Sequence, residues 1–109
     1  MDSAQVFKVN NKIILNQNDC KLSAQQVLNI KNKFSKIDLW LMQFGLAGYY
    51  ANRDDEEGLN KARNEHLDMI DYYYKQFNPS YYVPFSSFIY FCKKYNCFLN
   101  DWQITIDDI

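Results

Sequence analysis

Glycine is scarce in this chain of 109 residues: Gly45, Gly48 and Gly58 are the only three, so no glycine-rich loop exists to wrap a phosphate. The GxSxG, HExxH and Walker patterns are missing too, which removes the commonest signatures of hydrolases, zinc proteases and nucleotide-cleaving enzymes. His66 is the sole histidine, and at 100° per residue it falls between Ala62, Ile70 and Tyr73 on an apolar helical stripe. Nothing in the spacing sets a nucleophile or an orienting carboxylate beside it. It reads as a core or interface histidine, and the chain is not expected to be an enzyme.

Cysteine is sparse and odd in number. Cys20, Cys92 and Cys97 cannot all pair within one molecule, which argues against a secreted disulfide scaffold and for reduced thiols in a cytoplasm, the cell's own or a host's. With His66 they make a Cys₃His inventory, yet Cys92-x₄-Cys97 is not a tight zinc knuckle and the other two ligands are scattered. Asp54, Asp55, Glu56 and Glu57 are consecutive, whereas a calcium loop spaces its ligands along about 12 residues. No metal or cofactor is expected.

Long apolar runs are also lacking. The longest, Leu39 to Tyr50, holds 12 residues and includes Gln43 and two glycines, against the roughly 20 that a membrane span needs. The amino-terminal stretch MDSAQVFKVNNK has no basic region followed by an apolar one, so neither a signal peptide nor a membrane anchor is expected. Arginine is confined to Arg53 and Arg63. The net charge of −1 hides an asymmetry: residues 1–38 carry six lysines against three acids, and residues 39–71 three bases against seven acids. A lysine-rich amino-terminal third (Lys8, Lys12, Lys21, Lys31, Lys33, Lys36) leaves nucleic-acid binding as the runner-up, weakened by the shortage of arginine, the usual reader of phosphates and guanine edges.

What the chain does have is a globular apolar content of 48%, enough for a single domain over 1–109. Val6–Leu15 places β-branched and aromatic residues on both sides of Asn10-Asn11, a pair that tolerates positive φ, so a β-hairpin is predicted at about 5–9 and 12–16. Ser23 and Gln26 fit a capping box, with Leu22 and Val27 placed as a hydrophobic staple, and start a helix near Ala24. Val27, Ile30, Phe34, Ile37, Leu41 and Phe44 keep helical spacing, which carries that helix into the apolar run 39–50. A second helix is predicted from about Asp55 to Phe77, ended by Asn78-Pro79, and a third over about 84–95 with Pro84 in its first turn and Phe85, Phe88, Ile89, Cys92 and Tyr95 buried. Trp102–Ile106 alternates as a half-buried strand. The expected fold is α+β and mainly helical, ordered ββαααβ, with the last strand joining the hairpin in a three-stranded antiparallel sheet packed on helices.

The remaining signal is aromatic: nine Tyr, eight Phe and two Trp, or 17% of the chain. Consecutive helical residues diverge, so with Tyr73 facing the core Tyr72 sits on the polar side; Tyr81 and Tyr82 lie between Pro79 and Pro84 in a predicted loop. Tyrosine offers rigid contact area with a polar tip, the chemistry of interfaces. The expectation is a stand-alone protein-binding module. In size, composition and spare aromatics it resembles small phage anti-defence inhibitors and toxin-immunity proteins, which would block a partner surface through Asp54, Asp55, Glu56, Glu57, Tyr72, Tyr81 and Tyr82. A homodimer through the apolar run 39–50 is a further expectation.

Overall fold

The computed structural model describes residues 3–85 and 89–109. Strands β1 (Gln5–Val9) and β2 (Lys12–Asn18) form the hairpin, with Val9 opposite Lys12 and both turn residues left-handed, Asn10 at φ 46° and Asn11 at φ 63°. Two successive positive φ values are what a turn matched to the right-handed strand twist requires, and asparagine adopts them at low cost.

Helix α1 (Ala24–Lys33) begins where its cap is written. The Ser23 hydroxyl accepts from the Gln26 N–H and the Gln26 side-chain oxygen accepts from the Ser23 N–H at 2.8 Å, so two otherwise orphaned donors are satisfied reciprocally. Replacing Ser23 with Ala is expected to cost about 1 kcal/mol in urea unfolding, with the slope of the transition unchanged.

The predicted helix does not continue. It ends at Phe34, which is extended, and Leu39–Gln43 forms strand β3. Helix α2 (Glu56–Phe77) follows, then strand β4 (Tyr81–Phe85). The strands lie in sequence order, β1-β2-β3-β4, with β1 antiparallel to β2 and both β2–β3 and β3–β4 parallel. The order ββαβαβ and this mixed four-stranded sheet overturn the expected ββαααβ chain with a three-stranded antiparallel sheet. The cause is Leu39-Trp-Leu-Met: an inner strand of a parallel sheet is apolar on both faces, and over a few residues such a run has no period that separates it from a buried helix.

Two further corrections follow from the same reassignment. The third helix expected over about 84–95 is not formed: its first two positions, Pro84 and Phe85, end strand β4, and the described residues 89–95 are not helical; Pro84 lies on an edge strand, where a missing N–H is tolerated. Phe88 lies outside the described residues, while Cys92 and Tyr95, expected in a buried stripe, are exposed. The expected strand at Trp102–Ile106 is not one: Cys97–Trp102 and Ile106–Asp108 are short 3₁₀ helices, and only Ile104 between them is deeply buried.

One face of the sheet receives both helices. Leu15, Trp40 and Met42 from the strands, Val27 from α1, and Ile70, Tyr73 and Phe77 from α2 form one buried cluster, with Val6, Ile13 and Tyr82 packed against it. Gln17, fully buried, accepts from the Trp40 indole N–H at 3.0 Å and donates to the Cys20 carbonyl at 2.9 Å, so its polar atoms are paired inside the core. It stands where the β2–β3 pairing shifts register between Asn16 and Asn18.

Helix α2 has 22 residues, about 33 Å, whereas a five-residue strand spans about 17 Å. Its amino-terminal part overhangs the sheet, and the carboxy-terminal segment covers that overhang: Leu59 packs with Phe98 and Leu99, flanked by Phe91 and Trp102. Asn100 holds Phe91 by both its N–H (2.8 Å) and its carbonyl (3.0 Å), and Arg63 pairs with Asp108.

Candidate functional site

Successive residues of a strand point to opposite faces. Val6, Leu15, Trp40 and Tyr82 are register partners across the four strands and all face the helices. Their neighbours must therefore face the other way. That second face carries the row Phe7–Ile14–Leu39–Tyr81 and, one step along, Gln5–Asn16–Leu41–Val83. Tyr81 is 72% exposed, Phe7 47% and Val83 43%, while Ile14, Leu39 and Leu41 between them are half-buried. An apolar strip thus runs across all four strands on the side away from α1 and α2.

Its two ends differ in charge. At the end where β3 begins, Asp38 accepts from the Ile13 N–H at 2.9 Å and pairs with Lys12 (3.2 Å) and Lys36 (3.5 Å). The Ile13 N–H and then the two ammonium groups hold the Asp38 carboxyl below the usual carboxylate range. Lys8 and Lys33 join them around a shallow depression of about 430 Å³, so four of the six amino-terminal lysines gather at this pole. Lys31 instead donates to the Gln76 side chain, and Lys21 stands at the far end of β2.

The residues expected to form one binding surface are not brought together. Asp54, Asp55, Glu56 and Glu57 follow the opposite end of β3 and start α2; all four are exposed, and Asp55 is committed to the helix cap, its carboxylate accepting from the Gly58 N–H at 2.9 Å. Gly58 serves this cap by having no side chain, because a Cβ there would fall 2.4 Å from the Asp55 carboxylate. Tyr72 is exposed on α2, in the helical layer. Tyr81 is the most exposed of the three tyrosines and lies on the open sheet face. Tyr82 is a correction: it belongs to a strand and not to a loop, so it points opposite to Tyr81 and stacks on Trp40 with ring centroids 4.5 Å apart. Burial pushes its hydroxyl pKa up to about 12.

The residues that sequence reasoning missed are Phe7, Leu39, Leu41 and Val83. The signal for them was present in the hairpin, where Val6 and Phe7 are adjacent, so one apolar residue had to face away from the core whichever way the strand sat. The run 39–50, expected as a helical dimer interface, is divided: Trp40 and Met42 are core, while Leu39 and Leu41 belong to the open face. Among the described residues no helix is long and apolar enough to cross a membrane, and no three His, Cys, Asp or Glu side chains gather as a metal site would need. No family model, no curated protein and no solved structure matches this chain.

Proposed function

We propose that the chain is a small protein-binding module of the inhibitor or immunity type, which seats the open face of its sheet on an apolar surface of a partner protein and blocks it. The observation that supports this reading is the exposed strip Phe7–Ile14–Leu39–Tyr81 with Leu41 and Val83 beside it. Parallel strands normally have both faces covered, and a contiguous exposed apolar patch with a polar rim is the anatomy of an interface. Gln5, Lys12 and Lys36 supply that rim, and Tyr81 is the anchor. Asp54–Glu57, at the other end of the sheet, steers a basic part of the partner, so its effect falls on the association rate and fades with salt.

The test uses a Tyr81→Ala/Val83→Asp double variant and, as control, Tyr72→Ala on the helical layer. A protein captured by the wild type is purified and its affinity for all three forms measured by calorimetry. The sheet-face variant is expected to bind roughly 10- to 100-fold more weakly, Tyr72→Ala as well as wild type, and the wild-type reaction to show a negative heat-capacity change. Equal affinity of the double variant would sink the reading. The gathering of Lys8, Lys12, Lys33 and Lys36 at one pole favours a second reading, nucleic-acid binding. Oligonucleotide affinity falling steeply with salt, and lost in a Lys8→Gln/Lys33→Gln variant, would replace the first.

A further inference from the structure

Strands β2 and β3 run parallel, so their carboxyl ends open on the same side of the sheet. Beside those ends lies a cavity of about 320 Å³, lined by β3, the segment that follows it, the turn after β2 and helix α2. Its apolar floor is Met42, Leu46 and Met69; the turn after β2 brings Asp19 and Lys21 to the rim, and α2 brings Glu65 and His66.

His66 is the informative residue. Its Nε2 is shielded from water and has no hydrogen-bond partner among the described residues, while the ring bonds to the backbone of Phe44. That bond stabilises the protonated ring, so the backbone group is the carbonyl and the imidazole is the donor; with Nε2 unpartnered, the donor is Nδ1–H. In the neutral ring Nε2 then presents a lone pair. Burial first, and the Lys21 charge second, hold the His66 pKa below its ordinary value, so the neutral form is the one present at neutral pH. A shielded acceptor without a donor is costly and calls for an explanation. The charged groups lining the cavity are Asp19 and Lys21 from the β2–α1 turn and Glu65 on α2, with Tyr50 beside them; the carboxylates outnumber the ammonium, although Lys21 is the one whose charge acts on the ring.

We infer that this cavity binds a small amphipathic amine, its N–H donating to His66 Nε2, its charged end toward the Asp19 and Glu65 carboxylates of the lining and its carbon body lying on Met42, Leu46 and Met69. An anion would gain Lys21 but meet two carboxylates and the Nε2 lone pair, and a purely apolar molecule would leave Nε2 unpaired. The volume lies at the small end of ligand pockets, which suits a single short chain or ring.

The chain supplies its own reporter, because its single histidine gives a single imidazole Cε1–H resonance. Titration with n-pentylamine, pentanol and pentanoate at pH 7 is expected to move that resonance saturably with the amine, more weakly with the alcohol and not with the acid. Glu65→Gln weakens the amine roughly two- to fivefold, as loss of a partly solvated charge does. Ala62→Leu fills the cavity while keeping His66 as reporter, and abolishes saturation. Lowering the pH through the His66 pKa protonates Nε2, removes the acceptor and releases the amine. Saturation by pentanoate, no saturation by the amine, or an amine response that persists in Ala62→Leu would each overturn the assignment.

Discussion

Trp40→Ala is expected to lower the free energy of unfolding by about 3–5 kcal/mol. The whole stability of a domain this size is about 5–15 kcal/mol, so the variant should be partly unfolded at 37 °C. Trp40 is 0% exposed and sits on the inner strand β3, where every layer meets. Its ring stacks on Tyr82 of β4 at 4.5 Å and meets Phe77 of α2 edge-on at 6.2 Å and Tyr74 at 6.4 Å. Truncation removes the contacts of all three and leaves a cavity that a sheet cannot close by collapse, because strand spacing is fixed by its hydrogen bonds. Urea unfolding followed by far-ultraviolet circular dichroism measures the loss. A cost below about 1 kcal/mol, the range of a surface change, would mean that β3 is not the centre of the fold.

The elements that the sequence makes legible are those whose cause is local. Asn10-Asn11 fixes the hairpin, Ser23 with Gln26 fixes the start of α1, and the limits of α2 are written in Asp55 and in Asn78, which takes the left-handed conformation before Pro79. What the chain does between Phe34 and Leu39 has no such cause. Val27, Ile30, Phe34, Ile37, Leu41 and Phe44 keep helical spacing across a boundary, because apolar residues of a short strand fall on a helical stripe by coincidence. Parallel pairing compounds the difficulty: Ile14 meets Leu39 and Leu39 meets Tyr81, and partners so far apart in sequence leave no mark in either segment alone.

Strand β4 hides the candidate site in the same way, because its parallel partner is distant in sequence. With Tyr81 and Tyr82 in a loop, both could face solvent; on a strand only one can, and the Trp40 stack selects Tyr81. The open face itself follows from topology. Strands laid down in the order β1-β2-β3-β4 with crossovers of one hand put α1 and α2 in the same layer, and their shared cluster with Leu15, Trp40 and Met42 is that layer. Of residues 89–109, Phe98 and Leu99 meet Leu59 on the overhang of α2 and Ile104 joins the main core. The second face of a mixed sheet is thereby left to Phe7, Tyr81 and Val83, three residues that folding of this chain alone does not require to be apolar.

Gln17→Leu carries the second large effect, about 2–5 kcal/mol, although it makes the core more hydrophobic. Gln17 is 0% exposed and spends both ends of its amide: the oxygen accepts the Trp40 indole N–H and the nitrogen donates to the Cys20 carbonyl that turns the chain out of β2. Leucine satisfies neither, so a buried donor and a buried acceptor are stranded together, each at about 1–3 kcal/mol. A Gln17→Leu/Trp40→Phe double variant removes the stranded indole N–H, leaving only the Cys20 carbonyl. It is therefore expected to be more stable than the sum of the two single losses predicts, by about 1–2 kcal/mol. Urea unfolding of the wild type, both singles and the double closes the cycle. A coupling indistinguishable from zero would mean that the Gln17–Trp40 bond contributes nothing, and that the register shift between Asn16 and Asn18 is held by the backbone alone. A coupling of the expected size means that this amide reinforces the backbone pairing of β2 and β3 beside the register shift, with Trp40 held in the core and Leu39 and Leu41 on the open face.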